Sequence, residues 1–268
     1  MLYSLGCLKD KKDLRDIPMG LVLPPVRVPN RIDYTPAMTP VRNQGNEGTC
    51  VAFASAVGVK EYEDSKEYKK YIELSPRYLY SLCKKNDGDP DEEGTYPRVA
   101  MKMLLNYGVS PESYWPYHPH QKDKPKSGAA KAAKTYRITA YARLSGIDEM
   151  KRSLLVNGPF LAGIEVFASW FTDRVTKTGI IPNPKKNDEL KGGHAICIMG
   201  YDESKNLFKF KNSWSMQWGD KGYGYIRYEY IERYCSDAWS ATDLIENPKA
   251  LVKKREEAIK RTLTKGGF

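Results

Sequence analysis

No asparagine in this sequence stands two residues ahead of a serine or threonine, and no two cysteines are spaced Cys-x-x-Cys. No uninterrupted apolar run reaches the length that a membrane helix needs. The first absence removes N-glycosylation acceptors and fits an intracellular protein. The second leaves five cysteines, at 7, 50, 83, 197 and 235, an odd set that reads as reduced thiols rather than a disulfide framework. Histidine is scarce as well. There are three, two of them in His118-Pro119-His120, too few and too poorly grouped for a structural zinc site, so neither metal nor cofactor is expected. The N-terminal MLYSLGCLKDKKDLRDIP has an apolar stretch too short and too early for a secretory leader, with its charges on the wrong side. A cytoplasmic location, or packaging within a particle, is the expectation.

The formal charge of +10 is not spread evenly. Residues 121–137 and residues 249–268 each carry a net +5, so the remainder is formally neutral. The basic pI therefore reports one linker and one tail. No zinc-finger spacing or RNA-recognition signature accompanies them, which argues against nucleic acid as a partner. The tail places Val252, Ile259 and Leu263 near one helical face among lysines and arginines. That pattern suits self-docking, an acidic partner or a membrane surface.

Periodicity divides the chain into two textures. Residues 1–30 are rich in proline and charge and read as an extended N-terminal extension. From Cys50, CVAFASAVGVKEYEDSK predicts a helix with a buried, small-residue first half. LSPRYLYSLCKK predicts a second, with Ser75 as cap and Pro76 in the first turn, and TYPRVAMKMLLNYGV a third, closed by Gly108. Residues 119–135 read as a low-order connector. Beyond it, TYRITAYARL, PFLAGIEVF, GGHAICIMGYD, NLFKFKNSW and YGYIRYEYI read as strands, interrupted by one helix over GIDEMKRSLLVNG. The expected architecture is α+β: a two-lobed unit over 31–247, with a helical lobe at about 31–120 and a strand-rich lobe at about 121–247, followed by the basic tail 248–268. A cleft between the lobes is the natural place for a site.

A lone thiol at a helix start is either buried filler or a stabilised thiolate. A cysteine nucleophile needs a base, a group that orients the base, and donors for an oxyanion. His194, after Gly192-Gly193, and Asn212, in the next strand-like run, supply the residue types. Taken singly, each is more often a structural histidine or a turn asparagine. Together, Gln44, Cys50, His194 and Asn212-Ser213-Trp214 fall in the order and spacing of the papain-like cysteine peptidases, which this sequence resembles. His194 follows Cys50 at a distance within the expected spacing of about 130–150 residues, and Asn212 falls slightly beyond it. TPVRNQGNEGTC, LSPRYLYSLC, NYGVSPESYWPY, NGPFLAGIEVFASW and KNSWSMQWGDKGYGYI carry the resemblance over most of 31–247.

The resemblance implies a two-lobed papain-like fold with a β-barrel-like C-terminal lobe. It implies a cysteine endopeptidase acting on peptides or proteins through an acyl-enzyme thioester. Cys50 is then the nucleophile, paired with His194 as thiolate and imidazolium. Asn212 orients His194, Trp214 shields that hydrogen bond, and Gln44 with the Cys50 N–H forms the oxyanion hole. Gly163 and Ala195 fall near the pocket for the residue second from the cut, and Gly94 pairs the substrate backbone. Glu47 occupies the place of a disulfide cysteine, Gly193 that of a common aspartate and Ser215 that of a glycine. These departures point toward the prokaryotic or viral branch and a reducing compartment. The alternatives are a deconjugating or transacylating enzyme, a carboxydipeptidase using His118 and His120 as cathepsin B uses its occluding loop, and a catalytically silent peptide-binding module. With no room for a long inhibitory pro-segment, the extension 1–30 is expected to pack near the cleft.

Overall fold

The computed structural model describes residues 3–242 and Ile245; the basic tail 248–268 lies outside the described residues. Three helical pieces run in succession from the candidate nucleophile: α1 (Cys50–Ala52), a π-helical stretch (Phe53–Lys60) and α2 (Glu61–Tyr68). Every residue from Cys50 to Lys60 is buried. Small side chains permit that depth: a Cβ on Gly58 would stand 2.5 Å from the Cβ of Cys197 in the sheet. In α3 (Pro76–Lys84) the cap is as expected, with Tyr78 N–H donating to Ser75 Oγ at 3.1 Å. Next comes α4 (Pro97–Asn106). The expected connector instead holds a short helix, α5 (Ala129–Ala133), whose alanines pack on Tyr78 and Trp115.

The strand-rich lobe is one antiparallel sheet, ordered β2 (Tyr141–Arg143), β7 (Cys235–Ala241), β3 (Phe160–Phe167), β4 (Leu190–Asp202), β5 (Leu207–Lys211) and β6 (Tyr223–Arg227), with β1 (Arg31–Asp33) on β4. β2 and β6 do not pair with each other, so the sheet is open and the barrel-like expectation is wrong. The side-chain period of two shows why closure is unnecessary. Phe160, Ala162, Ile164 and Val166 of β3 face the C-lobe core with Trp170, Phe208 and Phe210. Leu161, Ala195, Cys197 and Trp239 face the helices of the other lobe, packing with Val51, Ala54 and Val59. Both faces are thus covered. The edges are covered too: Arg143 N–H of β2 donates to Ile17 O, and Ile181 N–H to Tyr225 O of β6. YGYIRYEYI, read as one strand, is β6 followed by α8 (Tyr228–Tyr234). Helices α6 (Ile147–Asn157) and α7 (Asp173–Thr178) complete the lobe.

Two features tie the halves together. Ile17, Met19 and Leu23 of the extension are buried in the C-lobe core. At the lobe junction, Lys211 Nζ donates to Val57 O and Thr39 Oγ1, both at 2.9 Å, while Thr39 Oγ1 reaches Glu61, itself paired with Arg42 at 2.9 Å. Lys211 is only 4% exposed and Glu61 fully buried. Lys211→Met is expected to lower the free energy of unfolding by about 3 kcal/mol, because it strips a buried carboxylate of a nearby cation and leaves a carbonyl under-bonded. Urea denaturation checks this, and a change within about 0.5 kcal/mol, the scatter of an inert surface substitution, would show the network to be idle.

Candidate active site

The nucleophile candidate sits where the loop 44–49 turns into α1. Cys50 is fully buried, and burial pushes its thiol up to about 12, against the pull of the backbone N–H groups of Ala195, Val51, Gly6 and Cys50 itself. Ala195, whose N–H reaches the thiol, follows His194 on β4. The β4–β5 ladder, with Cys197 opposite Lys211, carries Asn212 back alongside β4. His194 Nε2 lies 2.8 Å from Asn212 Oδ1, which also accepts from Ser213 N–H at 2.8 Å. An amide oxygen can only accept, which assigns the ring proton to Nε2 and leaves Nδ1 as the basic lone pair. Nδ1 has no hydrogen-bond partner among the described residues. Burial lowers the His194 pKa to about 4, opposed by the Asn212 bond. Trp214 stacks on the imidazole, centroids 4.3 Å apart, inside an aromatic shell of Trp170, Phe171 and Trp218.

Gln44 is fully buried opposite this pair. Its Oε1 accepts from Ser213 Oγ at 2.5 Å, its Nε2 donates to Glu47 O at 2.8 Å, and its N–H to Ser213 O at 2.8 Å. The remaining Nε2 hydrogen is directed at Ser4 O, 3.2 Å away.

That contact belongs to the extension, which threads the cleft. Tyr3 stacks on Trp214 at 4.9 Å, and Trp214 Nε1 donates to Ser4 O at 3.4 Å. Gly6 and Cys7 N–H both donate to Gly193 O, at 3.1 and 3.0 Å. Thr95 N–H donates to Gly6 O at 2.9 Å and Leu8 N–H to Thr95 O at 3.0 Å, making a parallel bridge. Gly6 passes so close to the loop that a Cβ there would stand 2.2 Å from Gly48 O. Cys7 Sγ lies 2.9 Å from where a Gly163 side chain would begin, and Gly163 is the cross-strand partner of Ala195. It is Thr95, next to Gly94, that pairs with the extension. Gly94 has φ +95, and its own N–H turns to the Tyr80 hydroxyl at 3.1 Å.

Residues 28–242 match the family described as papain family cysteine protease. The chain belongs to that papain family. By that membership it is a cysteine endopeptidase, a hydrolase. Among its relatives is an uncharacterized peptidase C1-like protein of Acanthamoeba polyphaga mimivirus, 34% identical over 221 residues, covering 76% of this chain and 71% of the relative. Mouse cathepsin K is 31% identical over 83% of this chain and 65% of its own length. The crystal structure of xylellain, a cysteine protease from Xylella fastidiosa, superposes with a TM-score of 0.80 at 30% identity, covering 90% of this chain and 96% of that one.

In this papain-family cleft the extension ends its passage at a buried carboxylate. Asp10 N–H donates to Asp237 Oδ2 at 3.0 Å. Asp10 Oδ2 accepts from Trp239 Nε1 at 2.8 Å, and both Asp10 oxygens from Arg98 N–H at 3.2 Å. Asp237 pairs with Arg143 at 2.6 Å and Arg98 with Asp16 at 2.8 Å. Burial, then the neighbouring Asp237, raise the Asp10 pKa from 3.8 to about 6. A raised carboxyl favours the docked state when protonated. Its contribution is therefore complete below about pH 4 and is lost as the pH rises through 6. The extension is expected to loosen between about pH 4 and 6.5, by roughly tenfold to a hundredfold in its closed-to-open ratio. The alkylation rate of Cys50 relative to an Asp10→Asn variant, which keeps the neutral form at every pH, measures this. A ratio flat with pH would contradict it.

Sequence reasoning missed Thr95, Arg77, Ser213 and the path of residues 3–10. Thr95, Arg77 and Ser213 lie in segments read as helix or strand, where nothing marks their contacts, and residues 3–10 carry no periodic pattern.

Proposed function

We propose that this chain hydrolyses peptide bonds with Cys50 as nucleophile, His194 as base and acid, and Asn212 holding the imidazole. The observation that carries the reading is the buried bond from His194 Nε2 to Asn212 Oδ1, made one residue before the Ala195 N–H that reaches the Cys50 thiol at its helix start. His194 Nδ1 takes the thiol proton as sulfur attacks the substrate carbonyl. The oxyanion is met by the Gln44 Nε2 hydrogen that Ser4 O otherwise takes, and by the Cys50 N–H at the positive end of the helix. His194 then protonates the departing amine, leaving a thioester that water hydrolyses. Trp214 keeps water from the His194–Asn212 bond. Thr95, beside Gly94, offers backbone pairing to a substrate, and Gly163 with Ala195 floors a side pocket that Cys7 now fills.

The leaving amine must lie near His194 and Trp214, so a substrate places its C-terminal half there. The extension does the reverse, with Tyr3 on Trp214 and Cys7 at Thr95. It blocks the cleft without presenting its own bonds for cleavage, and by excluding water it holds the dyad as neutral thiol and imidazole. Arg77 Nη2 donates to His118 O at 2.8 Å, His120 N–H donates to Glu47 at 3.0 Å, and the His120 ring lies 3.2 Å from Asn46 O. These anchors on the loop support internal cleavage over removal of C-terminal dipeptides. The free thiols and the Glu47–Arg77 pair at the family's disulfide position suit a reducing compartment.

A peptidyl epoxide tests the reading. Label located by mass spectrometry at Cys50, with cleavage of a peptide substrate and no ligated product when an amine acceptor is added, is expected. Labelling of Cys7 or Cys83 as fast as Cys50 would overturn it, and ligation would mark a transacylase.

A further inference from the structure

Loop 44–49 has no covalent brace, yet the amide it carries must be fixed to within a few tenths of an ångström if it is to meet an oxyanion. Glu47 and Arg77, in the loop and in α3, are 6% and 5% exposed. Arg77 Nη1 donates to Glu47 Oε1 at 2.9 Å, and Nη2 reaches Oε2, a two-pronged pair. Glu47 Oε2 also accepts from His120 N–H at 3.0 Å and lies 3.3 Å from the Tyr117 hydroxyl. Tyr117 in turn donates to Gln44 O at 2.7 Å, lies 2.8 Å from Thr49 Oγ1, and carries Arg77 over its ring at 5.0 Å. On its backbone side, Glu47 O accepts from Gln44 Nε2 and from Thr49 N–H, both at 2.8 Å. One residue therefore links α3 and the 117–120 segment, through its carboxylate, to the Gln44 amide, through its carbonyl.

We propose that Glu47 and Arg77 are positioning residues of the oxyanion hole, an ion pair that aims the Gln44 amide at the reacting carbonyl. Neither touches substrate. The inference rests on the reading of Gln44 as an oxyanion donor. A salt bridge in this place is indifferent to reductant, so loop geometry does not depend on thiol chemistry.

The test compares two reagents on the full chain. Alkylation of Cys50 by iodoacetamide needs the thiolate but no oxyanion donor. A peptide aldehyde adds its carbonyl carbon to the sulfur, and the carbonyl electron pair moves onto oxygen in the hole. Both need the extension displaced, so their rate ratio cancels cleft opening. Glu47→Gln is expected to lower the aldehyde-to-iodoacetamide ratio at least tenfold, approaching the roughly 100-fold or greater effect of losing one oxyanion donor. Arg77→Lys, which keeps the charge but loses the fork, should fall between. Thermal unfolding reports whether each variant folds. Should Glu47→Gln fail, Glu47→Gln with Arg77→Met leaves no unpaired buried charge and should show the same loss. Gln44→Ala is the control. An unchanged ratio in Gln44→Ala would refute the oxyanion reading itself. A ratio that moves in Gln44→Ala but not in the folded Glu47 variants would refute the positioning role alone.

Discussion

Gly6→Val is expected to raise turnover of a peptide substrate by the full chain roughly 30- to 140-fold. Valine at this point has its Cβ 2.2 Å from Gly48 O and 2.5 Å from Gly48 C and Cα, contacts that neither backbone can relieve without moving. The bonds that give way are Gly6 and Cys7 N–H to Gly193 O, and Thr95 N–H to Gly6 O. At about 1 kcal/mol each, losing two or three shifts the closed-to-open ratio by about 2–3 kcal/mol, and roughly 1.4 kcal/mol is a factor of ten. Iodoacetamide trapping of Cys50 should accelerate by the same factor, because both readouts count open molecules. A substitution is preferable to deletion of residues 1–30, which would also remove Ile17, Met19 and Leu23 from the core. Unchanged turnover with unchanged trapping would show that the extension does not limit access.

Cys50→Ala is expected to reduce peptide hydrolysis by a factor on the order of 100,000, since a nucleophile acts as a unit with its base. The other four thiols cannot replace it. None of the other four stands at the first turn of a helix next to the strand residue that follows His194: Cys7 lies in the extension, Cys83 within α3, Cys197 in β4 and Cys235 in β7. Cys7 is the informative control, because it lies in the same cleft against Gly163. Cys7→Ser should keep turnover within about twofold of wild type or raise it, by the same logic as Gly6→Val. Fluorogenic peptide assays at matched folded concentration give both numbers. Residual hydrolysis above about 1% of wild type in Cys50→Ala would show that another group performs the chemistry.

How much of this was legible depended on whether function is written locally. Cys50, His194 and Asn212 are spread widely along the chain, but each sits in a short block of characteristic residues, and the ladder of β4 with β5 brings the last two together. Ser75, Pro76 and Gly58 declared a capped helix and a tightly packed one. Glu47 could be marked as standing in place of a cysteine, whereas its partner could not, because nothing in LSPRYLYSLC distinguishes Arg77 from a solvated residue. Gly94 came from the family resemblance alone; in the structure its φ is +95 and it packs against Gly6, while the neighbouring Thr95 pairs with the extension. Aromatic alternation in YGYIRYEYI satisfied a period of two, while its second half was helical. The barrel expectation failed because closure is a relation between β2 and β6, which are distant in sequence, and the helices of the other lobe already bury the second face of the sheet.

The burial of Ile17, Met19 and Leu23 has one more consequence. When residues 3–10 leave the cleft they remain leashed to the body that carries it, at an effective concentration of the order of millimolar. A stretch whose free peptide bound only at millimolar strength would still close half the molecules. Diluting the protein should not activate it, and each opening should be reversible until the leash is cut, the behaviour expected of an equilibrium set within a single chain.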